Sequence, residues 1–255
     1  MNFQLWPLAN LISSGTEPRT SYDFGAAVLL NAPLVSLNVL QSVLSRSMFR
    51  VCADGGANVL YDNVVSHTDE LITFIPNAIV GDLDSIRPEV RAHYDSLGVV
   101  ISELHDQDTT DLEKAMTYIE SRIHGPVSPF VAIVGSIGAH EGRIDQFFSV
   151  VNVLYKYRDV ESIKIIQLGN QSILLVLKEG KHSVELPESA VGRHCGLVPL
   201  FGTVSGVTTT GLEWNLSPTM GPLSFGGLIS TNNIIRSSTV AIETSTPILF
   251  TLTYR

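Results

Sequence analysis

Positive charge is scarce in this chain. Its 255 residues hold 16 lysines and arginines against 25 acids, a formal net charge of −9. A protein that binds nucleic acid along its backbone displaces counterions with a basic surface, and no basic run occurs here. Only 16% of the residues are charged and 44% are hydrophobic, which excludes a disordered, self-solvating chain. Two cysteines, Cys52 and Cys195, lie far apart in apolar segments, without metal-ligand spacing or a neighbouring base. They read as reduced core thiols. No Ser-His-Asp or Cys-His arrangement is present, no G-x-x-x-x-G-K-[ST] phosphate loop and no dinucleotide fingerprint. The first twenty residues lack a basic segment followed by an apolar core, so no secretory signal is expected. The uncharged stretch 214–235 carries Asn215, Pro218, Gly221, Pro222, Gly226, Gly227, Asn232 and Asn233, which would break a helix in lipid. It reads as β-structure with turns rather than a membrane span, and a cytoplasmic location is expected.

What the chain does have is two halves with different patterns. Over 25–158, short apolar runs alternate with helical patterns: "AAVLL" (26–30), "FRVCA" (49–53), "NAIV" (77–80), "GVVIS" (98–102) and "FVAIV" (130–134). Between them 88–97 and 111–124 read as helices. The clearest is 144–157, where Ile144, Phe147, Phe148, Val151, Leu154 and Tyr155 follow the spacing of a buried face. Alternating strands and helices imply βαβ units and a mostly parallel sheet. From about 160 the runs become short, β-branched and separated by Gly, Pro, Asn or Ser, from "SIKIIQL" to "PILFTLTY". The expected architecture is an N-terminal extension (1–24), an α/β domain (25–158) and an all-β sandwich domain (159–255).

Four strand-like runs in the first half lead into polar or glycine-rich segments: "DGGAN" (54–58), "GDLDS" (81–85), "DQDTTD" (106–111) and "GSIGAHEGRID" (135–145). In an open parallel sheet the carboxyl ends of the strands share one edge, and ligands bind in the crevice there. Asp82, Asp84, Asp108, Asp111 and Asp145 would thus meet in one cleft, where they would repel unless a cation neutralised them. Hard oxygen ligands of this kind suit Mg²⁺, which completes its shell with water and substrate phosphates. A turn or helix cap is the bland reading of any single Asp. In "GDLDS" two acids two residues apart in an extended segment would point to one side. Thr110 and Glu113 fit a capping box, so a helix should start at Thr110 with Asp111 in its first turn. Lys114, one turn on, can reach either Asp111 or a phosphate. Arg143 is suited to clamp a polyphosphate, or simply to pair with Asp145 on the surface. His105 and His140 lie in the motif loops and read as surface histidines.

With "CADGGAN", "GDLDS", "DQDTTDLEKA", "GRIDQ", "TTTGLEWNL" and "LISTNN" in this order, the chain resembles the thiamine pyrophosphokinases over about residues 25–252. The resemblance implies an α/β domain joined to a β-sandwich and a homodimer with its active site at the subunit interface. It also implies Mg²⁺-dependent transfer of the terminal pyrophosphoryl group of ATP to the hydroxyl of thiamine. It makes Asp82, Asp84 and Asp108 the metal and polyphosphate centre, with Asp111, Arg143 and Asp145 beside it. Asp54, Gly55, Asn58, Gln107, Thr110 and Lys114 fall on the ATP side, and Gln146, Trp214, Ser230 and Asn232 around thiamine. An aromatic face suits a flat cationic heterocycle, although Trp214 also fits a sandwich core. Two departures stand out. "GSIGAHEGR" is longer than the family's compact glycine run, and Thr109 stands where many relatives carry His. Two other readings remain: a metal-dependent nucleotide-sugar transferase, since Asp-x-Asp after a strand also holds a metal and diphosphate, and a non-catalytic thiamine or nucleotide sensor.

Overall fold

The computed structural model describes residues 2–4, 23–65, 75–122, 130–135 and 142–254. One compact unit ends at Asn170; the other begins at Gln171 and includes the N-terminal strand β1 (Asn2–Gln4). In the first unit β2 (Phe24–Leu29), α1 (Leu37–Ser45), β3 (Ser47–Ala53), α2 (Gly56–Leu60), β4 (Ala78–Gly81) and α3 (Pro88–Ser96) follow one another. Then come β5 (Val100–Glu103), α4 (Asp111–Glu120), β6 (Phe130–Val134), α5 (Ile144–Lys156) and β7 (Lys164–Leu168).

The strands lie in the order β7-β6-β2-β3-β4-β5, and every neighbouring pair is parallel. Strands β2, β4 and β6 are buried at every residue, which is why they read as unbroken apolar runs rather than alternating ones. β5 is the edge strand and only partly covered. The order reverses between β2 and β6, and at such a point the loops leaving the two strands diverge and open a crevice.

Helix α4 starts as its sequence dictates. Thr110 is the N-cap, its hydroxyl accepts the Glu113 N–H at 3.3 Å, and the Glu113 carboxylate accepts the Thr110 N–H at 3.0 Å. Helix α5 departs from expectation in its first turns. Val150, Val151, Val153 and Leu154 are buried, but Ile144 and Phe148 are 53% and 54% exposed. Both lie ahead of the buried run that begins at Val150. Helix α1 was not expected, although Val39, Leu40, Val43 and Leu44 carry a buried helical spacing. The segment "SIKIIQL" also joins this unit: Lys164–Leu168 pair in parallel with Phe130–Val134, which puts the division near 170 rather than near 158.

The turn after β3 shows what one glycine does. A Cβ at Gly56 would stand 2.2 Å from the Leu29 carbonyl oxygen at the end of β2. Gly56→Ala must push two backbones apart and should cost on the order of 2–3 kcal/mol of stability. A urea midpoint lowered at unchanged slope would report it; an unmoved midpoint would show that the backbones can part freely.

The second unit is all β: β8 (Ser172–Leu177), β9 (Gly180–Glu185), β10 (His194–Val198), β11 (Val207–Thr210), β12 (Ser230–Ile234), β13 (Thr239–Thr244) and β14 (Ile248–Thr253). β1-β9-β13-β11 form one sheet, antiparallel except that β1 runs parallel to β9. β12-β10-β14-β8 pair antiparallel in another. Val240, Ile242 and Thr244 turn inward on β13, and Cys195 and Leu197 on β10. Cys52 and Cys195 are free and buried, and burial pushes each thiol up to about 12, so neither serves as a nucleophile. Among the described residues no helix is long and apolar enough to cross a membrane.

Candidate active site

A cavity of about 360 Å³ opens at the switch point of the parallel sheet. Three of the four segments named from the sequence contribute to its lining, and the fourth, "DGGAN", directly follows the lining residue Ala53. Asp82 follows β4, Gln107, Thr109–Leu112 and Lys114 follow β5, and Gly142, Arg143 and Gln146 precede or begin α5; Leu30–Pro33, after β2, join them.

At its acidic end, Asp54, Asp82 and Asp84 each bring one carboxylate oxygen within 4.8 Å of the other two. The segment between the latter two is not extended. Leu83 sits in the left-handed region at φ 62°, so a turn rather than strand alternation gathers these acids. Asp54 is left-handed too, at φ 39°. Among the described residues the non-glycine positions with positive φ are Asp54, Leu83 and Asn232, all within the sequence motifs. Strain of this kind persists where surrounding bonds over-determine the backbone.

Those bonds come from the first motif. The two Asp54 oxygens accept the N–H groups of Ser85 and Ile86, each at 3.0 Å. The Asn58 amide donates to the Ser85 carbonyl at 2.8 Å and accepts the Arg87 N–H at 3.0 Å. "DGGAN" therefore clamps the loop that carries Asp82 and Asp84. Gly81 is part of the same fit, because a Cβ there would stand 2.6 Å from Asp54 Cβ. Burial holds the Asp54 carboxyl above its ordinary range, and the neighbouring charge of Asp111 pushes the same way against the backbone donors.

Lys114 lies at the centre. Its side chain is 3% exposed, and its Nζ stands 3.3 Å from Asp82 Oδ2 and 3.4 Å from Asp111 Oδ1. Burial works against both charges of the Lys114–Asp82 pair. Their hydrogen bond and mutual attraction outweigh it, so Asp82 is held low and Lys114 high. Lys114 thus meets the Asp111 carboxylate that its spacing allowed, and Asp82 besides.

The remaining site residues fall as follows. Asp108 is exposed and lies outside the three-acid group; its N–H bonds to Asp106 Oδ1 at 2.9 Å, and the Thr109 hydroxyl bonds to Asp106 Oδ2 at 2.7 Å. Thr109 thus shapes the loop through its hydroxyl, with no imidazole at that position. Arg143 and Asp145 form a bidentate exposed pair at 3.1 and 2.6 Å, which holds Asp145 below the usual carboxylate range. Gln107, Thr110, Arg143 and Gln146 line the cavity. His140 and most of the long glycine loop lie outside the described residues. In the second unit Trp214 is 57% exposed, so it is no core residue; Ser230 is buried and Asn232 exposed.

Two family models cover the chain in this same order. Residues 40–167 match "Thiamin pyrophosphokinase, catalytic domain", and residues 181–249 match "Thiamin pyrophosphokinase, vitamin B1 binding domain". The chain is 37% identical to thiamine pyrophosphokinase 1 of Oryza sativa subsp. japonica, over 95% of its own length and 93% of the relative's. The chain belongs to the thiamine pyrophosphokinase family. Thiamine pyrophosphokinase 2 of Arabidopsis thaliana is also 37% identical, over 90% of this chain and 86% of that one. The two-domain fold recurs in the solved structure of thiamin pyrophosphokinase from Candida albicans. There the TM-score is 0.78 at 22% identity, with 99% of this chain and 92% of that one covered. The family's two parts fall on the two units described above: the acids lie in the catalytic match, and Trp214, Ser230 and Asn232 in the vitamin-binding one.

Proposed function

We infer that the chain transfers the terminal pyrophosphoryl group of ATP to the hydroxyl of thiamine, giving thiamine diphosphate and AMP. The observation that carries this is the pairing of both family models, in order, with an acid-lined cavity at the sheet's switch point. No comparison favours the nucleotide-sugar transferase or the sensor.

Two carboxylates on a strained loop and a third on the segment that clamps it fit a hard divalent cation, and Mg²⁺ is the cation that suits such oxygens beside substrate phosphates. Asp54, Asp82 and Asp84 would hold it, and it would supply neutralisation of phosphate charge. Asp108 joins the site, on this reading, only through the loop it shares with Gln107 and Thr110. The protein's own residues do the positioning that phosphoryl-type transfer asks for. Lys114 holds Asp82 and Asp111 in place. Arg143 stands at the cavity mouth with a guanidinium able to exchange Asp145 for phosphate oxygens. Carboxylates beside the cavity are the acceptors for the proton that the attacking hydroxyl loses. On the thiamine side Trp214 offers an open aromatic face to a flat cation, with Ser230, Asn232 and Gln146 as polar partners.

The protein acts, on this reading, as a cytoplasmic homodimer whose sites each draw on both subunits. Large apolar side chains stand exposed in each unit, Phe148 in one and Trp214 and Phe225 in the other, and a two-fold partner would cover such surface. Reduced, buried thiols fit a reducing compartment. Incubation with ATP, Mg²⁺ and thiamine should yield thiamine diphosphate and AMP in equal amounts. ADP with thiamine monophosphate would overturn pyrophosphoryl transfer, and no product at all would leave a binding protein.

A further inference from the structure

Trp214 combines an exposed ring with a backbone held from both sides. On one flank the Asn215 side-chain oxygen accepts the Leu212 N–H at 3.1 Å and the Thr209 hydroxyl at 3.4 Å, while Thr209 Oγ1 accepts the Leu216 N–H at 2.8 Å. On the other, the Glu213 N–H bonds to the Ile234 carbonyl at 2.8 Å. The peptide groups of Trp214 itself are taken by one buried side chain. Asn233, 3% exposed, accepts the Trp214 N–H at 3.1 Å and donates to the Trp214 carbonyl at 2.8 Å.

This two-point contact copies a β-ladder pair with a side-chain amide. It exists because β12 is bulged: three steps from Ser230 to Asn233 face two from Leu197 to Cys195 on β10. Asn232, left-handed at φ 57°, takes up the extra residue. The bulge re-aims the next side chain, so Asn233 turns inward while Asn232 stays exposed. A large aromatic side chain left in water on a backbone pinned this thoroughly is a preorganised contact surface, since a ligand meeting it has little left to order.

We propose that Asn233 is a positioning residue for thiamine, fixing the Trp214 indole through the Trp214 peptide. This rests on the thiamine role given to Trp214 above. The test is a cycle of four proteins, wild type, Asn233→Ala, Trp214→Ala and the double variant, with KM measured for thiamine and for ATP. Trp214→Ala should raise the thiamine KM about tenfold. Asn233→Ala should raise it roughly fivefold, with kcat and the ATP KM unchanged. The double variant should match Trp214→Ala to within about twofold, because the side-chain contact left to Asn233, with Ser230 Oγ, is a weak one at 3.5 Å. Multiplied effects, or an ATP KM that rises in step, would overturn the inference while leaving Trp214 in the site. An unchanged thiamine KM in Trp214→Ala would overturn the role of Trp214 and this inference with it. Should Asn233→Ala fail to fold, Asn233→Asp keeps the volume and the acceptor but loses the donated bond. It should then raise the thiamine KM alone, and an unmoved thiamine KM there would overturn the inference as well.

Discussion

Asp84→Asn protein should fold normally and turn over at least about a thousandfold more slowly than wild type, a loss of roughly 4 kcal/mol of transition-state stabilisation. Asp84 is exposed and uses its Oδ1 to accept the Ser85 hydroxyl at 2.8 Å. An asparagine keeps that oxygen and the shape of the side chain, so the turn around Leu83 has no reason to rearrange. What disappears is one negative charge out of three crowded carboxylates. Without metal that removal relieves repulsion, and stability should stay within about 0.5 kcal/mol of wild type. With substrate, on the proposed function, the same charge would anchor a divalent cation against polyphosphate, and an amide oxygen is a much poorer ligand for it. Thermal melts in chelator together with initial rates at saturating Mg²⁺ separate the two effects. A rate within a few-fold of wild type would remove Asp84 from the metal site.

The second large effect comes from mixing two damaged proteins. Asp84→Asn lacks an acid from the first unit and Trp214→Ala lacks an aromatic from the second. If each active site joins the acids of one subunit to the thiamine contacts of its partner, a mixed dimer holds one site free of both changes. Random pairing after joint unfolding and refolding makes half the dimers mixed, so activity at low thiamine should recover to about a quarter of wild type. Sites built within single chains would give only about a twentieth, the average of an inactive protein and one working at about a tenth. Mass measurement of the mixed dimers fixes the denominator, and the lower figure in their presence would rule out the shared site.

Much of this was legible in the residues, because local chemistry and global fold agree in the first unit. The capping box at Thr110 and Glu113 appears as the spacing requires, and the five apolar runs become the five strands they resemble. What stayed hidden depends on long-range approach. Asp54 sits in a glycine-rich turn and reads as part of a phosphate loop. Its partners, the N–H groups of Ser85 and Ile86, lie some thirty residues on and carry no sequence signal. The grouping of Asp82 with Asp84 was anticipated from strand alternation, yet a left-handed Leu83 produces it. "ISTNN" shows the same limit more sharply. Regular alternation from the buried Ser230 would turn Asn232 inward, and the bulge there assigns that place to Asn233 instead. In α5 the helical period was right while its burial was not, since periodicity marks an apolar face without saying what covers it.

The ammonium lodged between Asp82 and Asp111 also bears on how such a protein comes into being. An acidic nest with no counter-charge of its own would have to wait for magnesium before its walls could close. Lys114 lessens that dependence, because the chain carries its own cation to Asp82 and Asp111. On the proposed function, a newly made polypeptide should therefore reach its final form without Mg²⁺. If Mg²⁺ serves the reaction as proposed, its supply would govern when the enzyme works and not whether it is built.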